Sequence, residues 1–239
     1  AASDVYKRQG YDFPAIQNGW AKKDTPPDGT LASGQSFVFN LRRDKFQDKR
    51  LRQAIGMMFN FEWSNKTLFY GIYERIDSFW ENSYLKAEGA PTEGELAFLR
   101  PLADKLPEGV LDGPVVIAPA SSERQLDRKN LRRASAMLDE AGWPVGDDGM
   151  RRNAAGETLQ VEILNDSQAF DRVINPYIEN LRALGVDAVH TRIDNAQMTE
   201  RERSFNFDMV VGNFRTALTP GSELEQYFGS ESAEFSIFN

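Results

Sequence analysis

The sequence contains no cysteine, which excludes a disulfide scaffold, a zinc ribbon and a cysteine nucleophile. It holds one histidine, His190, so a site needing two imidazoles is excluded as well. No stretch approaches the roughly 20 consecutive apolar residues of a membrane-spanning helix. Surplus cation is also missing: 28 basic side chains face 36 acidic ones, a net charge of -8. The balance argues against a general nucleic-acid binder, because no overall excess of cation is available to neutralise phosphates, although a local patch escapes this count; no nucleic-acid partner is expected. Glycine (18) and proline (11) are too few for a low-complexity chain. What remains, 41% hydrophobic and 27% charged over 239 residues, is ordinary for a globular fold of one large domain or two modest ones.

Residues 1–9 include Asp4-Val5-Tyr6-Lys7-Arg8-Gln9, which resembles the translated end of a transposon used in sequencing libraries. That segment is expected to be non-native. With no charged-then-apolar leader and no closing cap over Glu234–Asn239, the chain is expected to be an internal fragment whose export signal lies elsewhere. Residues 10–35, with Pro14, Pro26 and Pro27 and no apolar period, read as a linker or crossing segment.

A strand is expected over 36–41. Phe46, Leu51, Ala54, Ile55 and Met58 then fall at helical spacing behind Asp48 as N-cap. Asn60–Ser64 reads as an interruption before a short helix through Leu68 to Gly71. Residues 72–113 read as irregular apart from a helix near 93–102, and Val115–Ala118 as a short strand. Asp127 caps a helix carrying Leu131, Ala134, Met137, Leu138 and Ala141, which Gly142 ends. After a polar loop over 144–156, strands (159–164, 186–193, 207–211) alternate with helices (170–184, 195–205). This alternation predicts an α/β fold: a mixed or largely parallel sheet flanked by helices.

Catalytic signals are poor. Gly34-Gln35-Ser36-Phe37-Val38 has the start of a nucleophile elbow but lacks its second glycine. His190 shares a strand face with Val186 and Ala188, as a structural histidine does. Asp147-Asp148-Gly149 with Asn153 lacks the ligand spacing of a calcium loop, and no metal or cofactor is expected. The basic runs over 42–52 and 124–133 are interleaved with acids and read as solvated faces. Two segments stand out. Phe79-Trp80-Glu81-Asn82 places aromatic and polar groups in a loop. Asn213-Phe214-Arg215-Thr216 follows an apolar strand, where ligands gather in open α/β sheets, and the planar fork of an arginine suits a carboxylate. The candidate ligand-binding residues are therefore Phe79, Trp80, Asn82, Asn213, Phe214, Arg215 and Thr216.

Five blocks in order across residues 36–214 resemble the extracytoplasmic solute-binding proteins of ABC importers, peptide-binding family 5. They begin with Phe37-Val38-Phe39-Asn40-Leu41 and Phe46-Gln47-Asp48-Lys49-Arg50-Leu51-Arg52-Gln53-Ala54. Met137-Leu138-Asp139-Glu140-Ala141-Gly142-Trp143, Leu184-Gly185-Val186 and Phe207-Asp208-Met209 follow. Asn60-Phe61-Glu62-Trp63 and Arg75–Ser83 are most similar to the oligopeptide-binding, Yej-type branch, associated with peptide antibiotics of the microcin C class. The resemblance implies the type 2 periplasmic-binding-protein fold, a two-lobed jaw, with residues 36–239 forming an incomplete second, C-terminal lobe and 10–35 crossing between lobes. It implies a periplasmic, monomeric, non-enzymatic receptor that binds peptides or peptide-like solutes and passes them to ABC permease subunits. In classical oligopeptide and dipeptide members, which the chain resembles, an Asp shortly after the strand that begins Phe-Asp-Met pairs with the ligand's amino terminus. Residues 213–218 carry no acid, and Glu223 is the next. An α/β hydrolase and a non-catalytic interaction domain are the alternatives.

Overall fold

The computed structural model describes residues 13–22, 24, 29–219 and 221–237. The segment expected to be non-native, residues 1–9, lies outside the described residues. In chain order the elements are α1 (Pro14–Gln17), β1 (Gly34–Phe39), α2 (Lys49–Met57), α3 (Phe61–Leu68), α4 (Glu93–Leu99), α5 (Arg128–Glu140), β2 (Gln160–Asn165), α6 (Asp171–Ala183), β3 (Asp187–Arg192), α7 (Asn195–Arg203), β4 (Met209–Phe214) and α8 (Ser222–Phe228).

Among the described residues the strands form one four-stranded sheet, ordered β1-β4-β2-β3. Parallel pairing joins β2 to β3 and to β4, as crossover connections through α6 and α7 require. The outer strand β1 runs antiparallel to β4, with Gly34 opposite Phe214 and Phe39 opposite Met209. The sheet is thus mixed and carries helices, as the alternation predicted.

Strand alternation divides the apolar residues between two cores. On one face Val161, Ile163, Ala188 and Met209 pack with Phe37 and Phe39 beneath α2, α5 and α6, whose buried stripes include Leu51, Ile55, Leu138, Ile174 and Leu181. Leu164 and Val210 face the other way, into a smaller core with Met198 of α7 and Phe207. Capping fixes the helix starts. Asp48 accepts from the Arg50 amide at 2.8 Å, and Asp127 from those of Lys129 and Asn130 at 2.7 and 2.8 Å.

Three expectations change. Asn60 does not interrupt; its side chain accepts from the Trp63 amide at 2.9 Å and so starts α3, while donating to the Ser122 and Arg124 carbonyls at 2.8 and 2.6 Å. Val115–Ala118 is not a strand among the described residues: Val116 is 72% exposed and Ile117 60%, and the run has backbone pairing only at Val115, to the Gly89 carbonyl. High β-propensity without a neighbouring strand to pair with does not make one. The basic run over 42–52 is also more than a solvated face. Arg42 reaches the Ala233 and Ser236 carbonyls, Arg43 that of Phe207, Lys45 the Asp208 carboxylate and Arg50 the Glu140 carbonyl. Those cations fasten the chain ends of separate elements together.

Two buried polar side chains hold the architecture. Asn40, just beyond β1, donates at 2.9 Å to the carbonyls of both Phe205 and Phe207, pinning the entry to β4 beside the exit of β1. Arg151 is fully buried. Its guanidinium donates to the Leu184 and Trp143 carbonyls, the Asp139 carboxylate and the Ser135 hydroxyl. Against it sits Gly185, with φ +89° and a virtual Cβ only 2.7 Å from the Gly149 carbonyl oxygen, so glycine is demanded twice over. Asn40→Ala is expected to cost about 2 kcal/mol and Arg151→Ala about 3 kcal/mol, since each orphans buried carbonyls. Lower urea midpoints at unchanged slope are the expected readout.

His190 is structural, as expected. Its Nδ1 meets Asn175 Oδ1 at 2.9 Å, and Nε2 lies 3.7 Å from Asp171, which Arg192 engages. Burial lowers its pKa, Asp171 opposes that and Arg192 reinforces it. Because the folded value lies below the unfolded one, the unfolded chain takes the proton first, and stability falls as pH drops below about 6.5. A His190→Gln variant is expected to lose less stability than the parent between about pH 7 and about pH 5.5; equal losses by denaturant titration would refute the assignment.

Candidate functional site

The antiparallel register of β1 and β4 puts the chain entering β1 beside the chain leaving β4. A third segment, residues 77–83, closes over both. Asn82 Nδ2 donates to the Thr30 carbonyl at 2.7 Å, and the Ala32 amide donates to the Glu81 carbonyl at 3.2 Å. Thr216 Oγ1 donates to the Phe79 carbonyl at 2.8 Å, and Trp80 Nε1 to that of Ala217 at 3.0 Å. Ser33 Oγ donates to Asn213 Oδ1.

Local chemistry shapes the middle segment. Ser78 Oγ accepts from the Trp80 amide at 3.1 Å, and Ser83 Oγ donates to the Trp80 carbonyl at 2.7 Å. Asn82 adopts φ +63°, a left-handed conformation that asparagine tolerates better than most residues. Burial pushes the Glu81 carboxyl up, but Lys86 at 2.6 Å and the Asp77 amide outweigh it and leave the group below its usual range.

Aromatic rings form the wall between these segments. Phe79 stands edge-on to Phe214 at 5.6 Å and to Phe228 at 5.4 Å, and Phe214 meets Tyr227 at 5.4 Å. Phe79 is 41% exposed and Phe228 58%, so the wall shows apolar surface to solvent. The pleat separates the polar members from it. Phe214 continues the face of Val210, whereas Asn213 continues that of Met209 and Val211 and engages Ser33. Thus Phe79, Trp80, Phe214 and Thr216 form one contiguous group, while Asn82 and Asn213 fasten the chain entering β1. Arg215 is exposed, and its backbone amide and carbonyl both bond the Tyr227 hydroxyl, at 3.2 and 3.0 Å.

Sequence reasoning missed Thr30, Ser33, Tyr227 and Phe228. The first two sit in a segment read as a linker. The last two lie on α8, whose Leu224 and Tyr227 have helical spacing but belong to a helix too short to stand out. Glu223 spends a carboxylate oxygen on the Gly221 amide at 3.2 Å. At the opposite end of the sheet an open cleft of about 790 Å³ is lined by Arg43, Lys45, Asp48, Trp143, Gln160 and Asp208. Its cations are already engaged: Lys45 and Arg43 with Asp208, at 2.7 and 3.7 Å. No metal-binding cluster and no membrane-crossing helix occur among the described residues.

The sequence profile of bacterial extracellular solute-binding proteins, family 5 middle region, matches residues 3–235. The chain belongs to that family. It is 39% identical over 231 residues to the probable peptide-binding protein YejA of Agrobacterium fabrum, covering 94% of this chain and 37% of the relative. It is 33% identical over 216 residues to the peptidoglycan-binding protein YepA of the same organism, covering 90% of this chain and 35% of that one. The chain thus spans little more than a third of the curated relatives it matches. The oligopeptide-binding protein AppA of Bacillus subtilis, solved with a nonapeptide, superposes with a TM-score of 0.65 at 16% identity, over all of this chain and 44% of AppA. The murein tripeptide-binding protein MppA gives 0.59 at 14% identity, over all of this chain and 41% of MppA. The fold is therefore that of the type 2 periplasmic binding proteins.

Trp80→Phe keeps the ring and removes its bond to Ala217. Amides 215–219 are expected to exchange with deuterium about fivefold faster in that variant; unchanged rates would detach the 77–83 segment from the strand end.

Proposed function

We propose that this chain is the second-lobe portion of the substrate-binding component of an ABC importer, taking peptides or peptide-like solutes outside the cytoplasmic membrane and delivering them to permease subunits. The observation that carries this reading is the convergence of segments 29–33, 77–83 and 213–218 at the end of β4, with the aromatic wall of Phe79 and Phe228 open to solvent. Carboxyl ends of strands in open α/β sheets are where ligands collect. Half-exposed rings accept varied side chains, so one site serves many sequences. The binding residues in this reading are Phe79, Trp80, Asn82, Asn213, Phe214, Arg215 and Thr216. The names of YejA, AppA and MppA agree with it.

Binding of this kind needs no bond-making chemistry, no cofactor and no second copy of the chain. The rival hydrolase reading requires a base beside a nucleophile. Ser36 lies on β1 and His190 on β3, the two outer strands of the sheet. Three strand intervals across the sheet and a three-residue offset along it put them about 17 Å apart.

A jaw reduced to one side grips weakly. Titration of the chain with an unmodified tripeptide is expected to give millimolar dissociation, about -4 kcal/mol. The full-length protein should bind at least a hundredfold more tightly by calorimetry. Nanomolar binding by the chain alone, or cleavage of the peptide detected by chromatography, would overturn the proposal.

A further inference from the structure

We infer that the outer face of α5 is a membrane-contact surface, on which Arg128, Lys129, Arg132 and Arg133 meet the phosphate groups of anionic lipids. The inference goes beyond ligand binding and does not depend on where a peptide sits. Three observations carry it. First, the cations are exposed together and unspent. Arg128 and Arg132, and Lys129 and Arg133, stand four residues apart over the first two turns, and exposed Arg124 precedes them. Among the described residues none of these five side chains meets a carbonyl, a carboxylate or an aromatic ring, whereas Arg50, Arg151 and Arg201 are each bonded into the fold.

Second, the neighbouring acids are already engaged. Asp127 accepts from the amides of Ser122, Lys129 and Asn130, and Glu123 pairs with Lys66 at 2.5 Å. Asp139 is held by Arg151 at 2.8 Å, and Glu179 accepts from the Gln125 side chain at 2.6 Å. Although the chain as a whole is acidic, this face is left positive. An anionic surface therefore attracts α5 and repels the rest, which fixes the orientation of approach.

Third, the arrangement works against the helix that carries it. Cations are disfavoured at the positive end of a helix dipole, and like charges four residues apart repel. The first turn of α5 holds no acid beyond its cap, Asp127. α7 does the reverse, with Arg201 and Arg203 in its last turn. A local rule broken in this way marks a contact made outside the helix. The chemistry of the partner follows from the shape. Ala134 and Leu138 turn the opposite face of α5 into the core, so the cations spread over about 8 Å of convex exterior. Planar guanidinium forks pair with phosphate oxygens, and a spread set of them fits many mobile headgroups better than one fixed acidic surface.

Sedimentation of the chain with lipid vesicles at low ionic strength tests this. Vesicles of equal parts phosphatidylglycerol and phosphatidylcholine are expected to take up the chain about a hundredfold more strongly than phosphatidylcholine alone, and added salt should abolish the difference. Arg128→Gln combined with Arg132→Gln should lower the partition coefficient about twentyfold, and Lys129→Gln with Arg133→Gln equally. Both pairs leave the core and the cap intact, so unchanged or higher urea midpoints are expected, which separates lost contact from lost fold. Arg203→Gln removes an exposed arginine of α7 that likewise has no partner among the described residues, and should change partition less than about twofold. Equal uptake by charged and neutral vesicles overturns the proposal and turns this face over to an acidic protein partner. A loss with Arg203→Gln as large as with either α5 pair overturns it too, by reducing the effect to net charge. Neither outcome touches the peptide-binding reading, which the tripeptide titration decides.

Discussion

The pairing of β1 with β4 is the constraint on which the rest depends. Gly34–Phe39 and Met209–Phe214 lie some 175 positions apart in sequence, and bringing them side by side closes a very long loop at an entropic cost. Interactions at both ends of the pair offset it. At one end Asn40 spends its side-chain amide on two carbonyls of the chain entering β4, and Lys45 and Arg43 converge on Asp208. At the other end Ser33 meets Asn213, and the 77–83 segment is bonded to both strands' extensions. The candidate site is therefore not a loop appended to a finished fold; its walls are the continuations of the strands that close it.

This arrangement explains why the family's sequence blocks fall where they do. Phe39-Asn40 supplies one core ring and the buried clasp. Asp48 starts the helix whose Leu51, Ala54 and Ile55 seal the main core. Leu184-Gly185-Val186 gives the Arg151 guanidinium a carbonyl and leaves room for the turn at Gly149. These positions form the scaffold, whereas the half-exposed rings of Phe79 and Phe228 lie outside it.

Most of the α/β alternation was legible from sequence because it lies in local pattern. Strand and helix periods over 159–214 are uninterrupted, and Asp127 and Gly142 bracket α5 in the expected manner. The misreadings have one physical source: partners that lie far along the chain. Asn60 looks like an interruption until Ser122 and Arg124 supply acceptors for its amide. Val115–Ala118 looks like a strand, but among the described residues no neighbouring strand pairs with it. The basic run looks solvated until the carbonyls of Phe207, Glu140 and Ser236 come into reach. The same holds for the site: Phe79, Trp80, Phe214 and Arg215 were visible as unusual loop chemistry, but Tyr227, which stacks on one and holds another, was not.

In the proposed reading, ligand meets this chain at the converged strand ends and not elsewhere. Photocrosslinking the chain with a tripeptide carrying a benzophenone side chain, followed by mass-spectrometric mapping, tests it directly. Adducts confined to residues 77–83, 213–218 and 227–228 are the predicted result. Adducts concentrated around Arg43, Trp143 and Gln160, at the opposite end of the sheet, would contradict it.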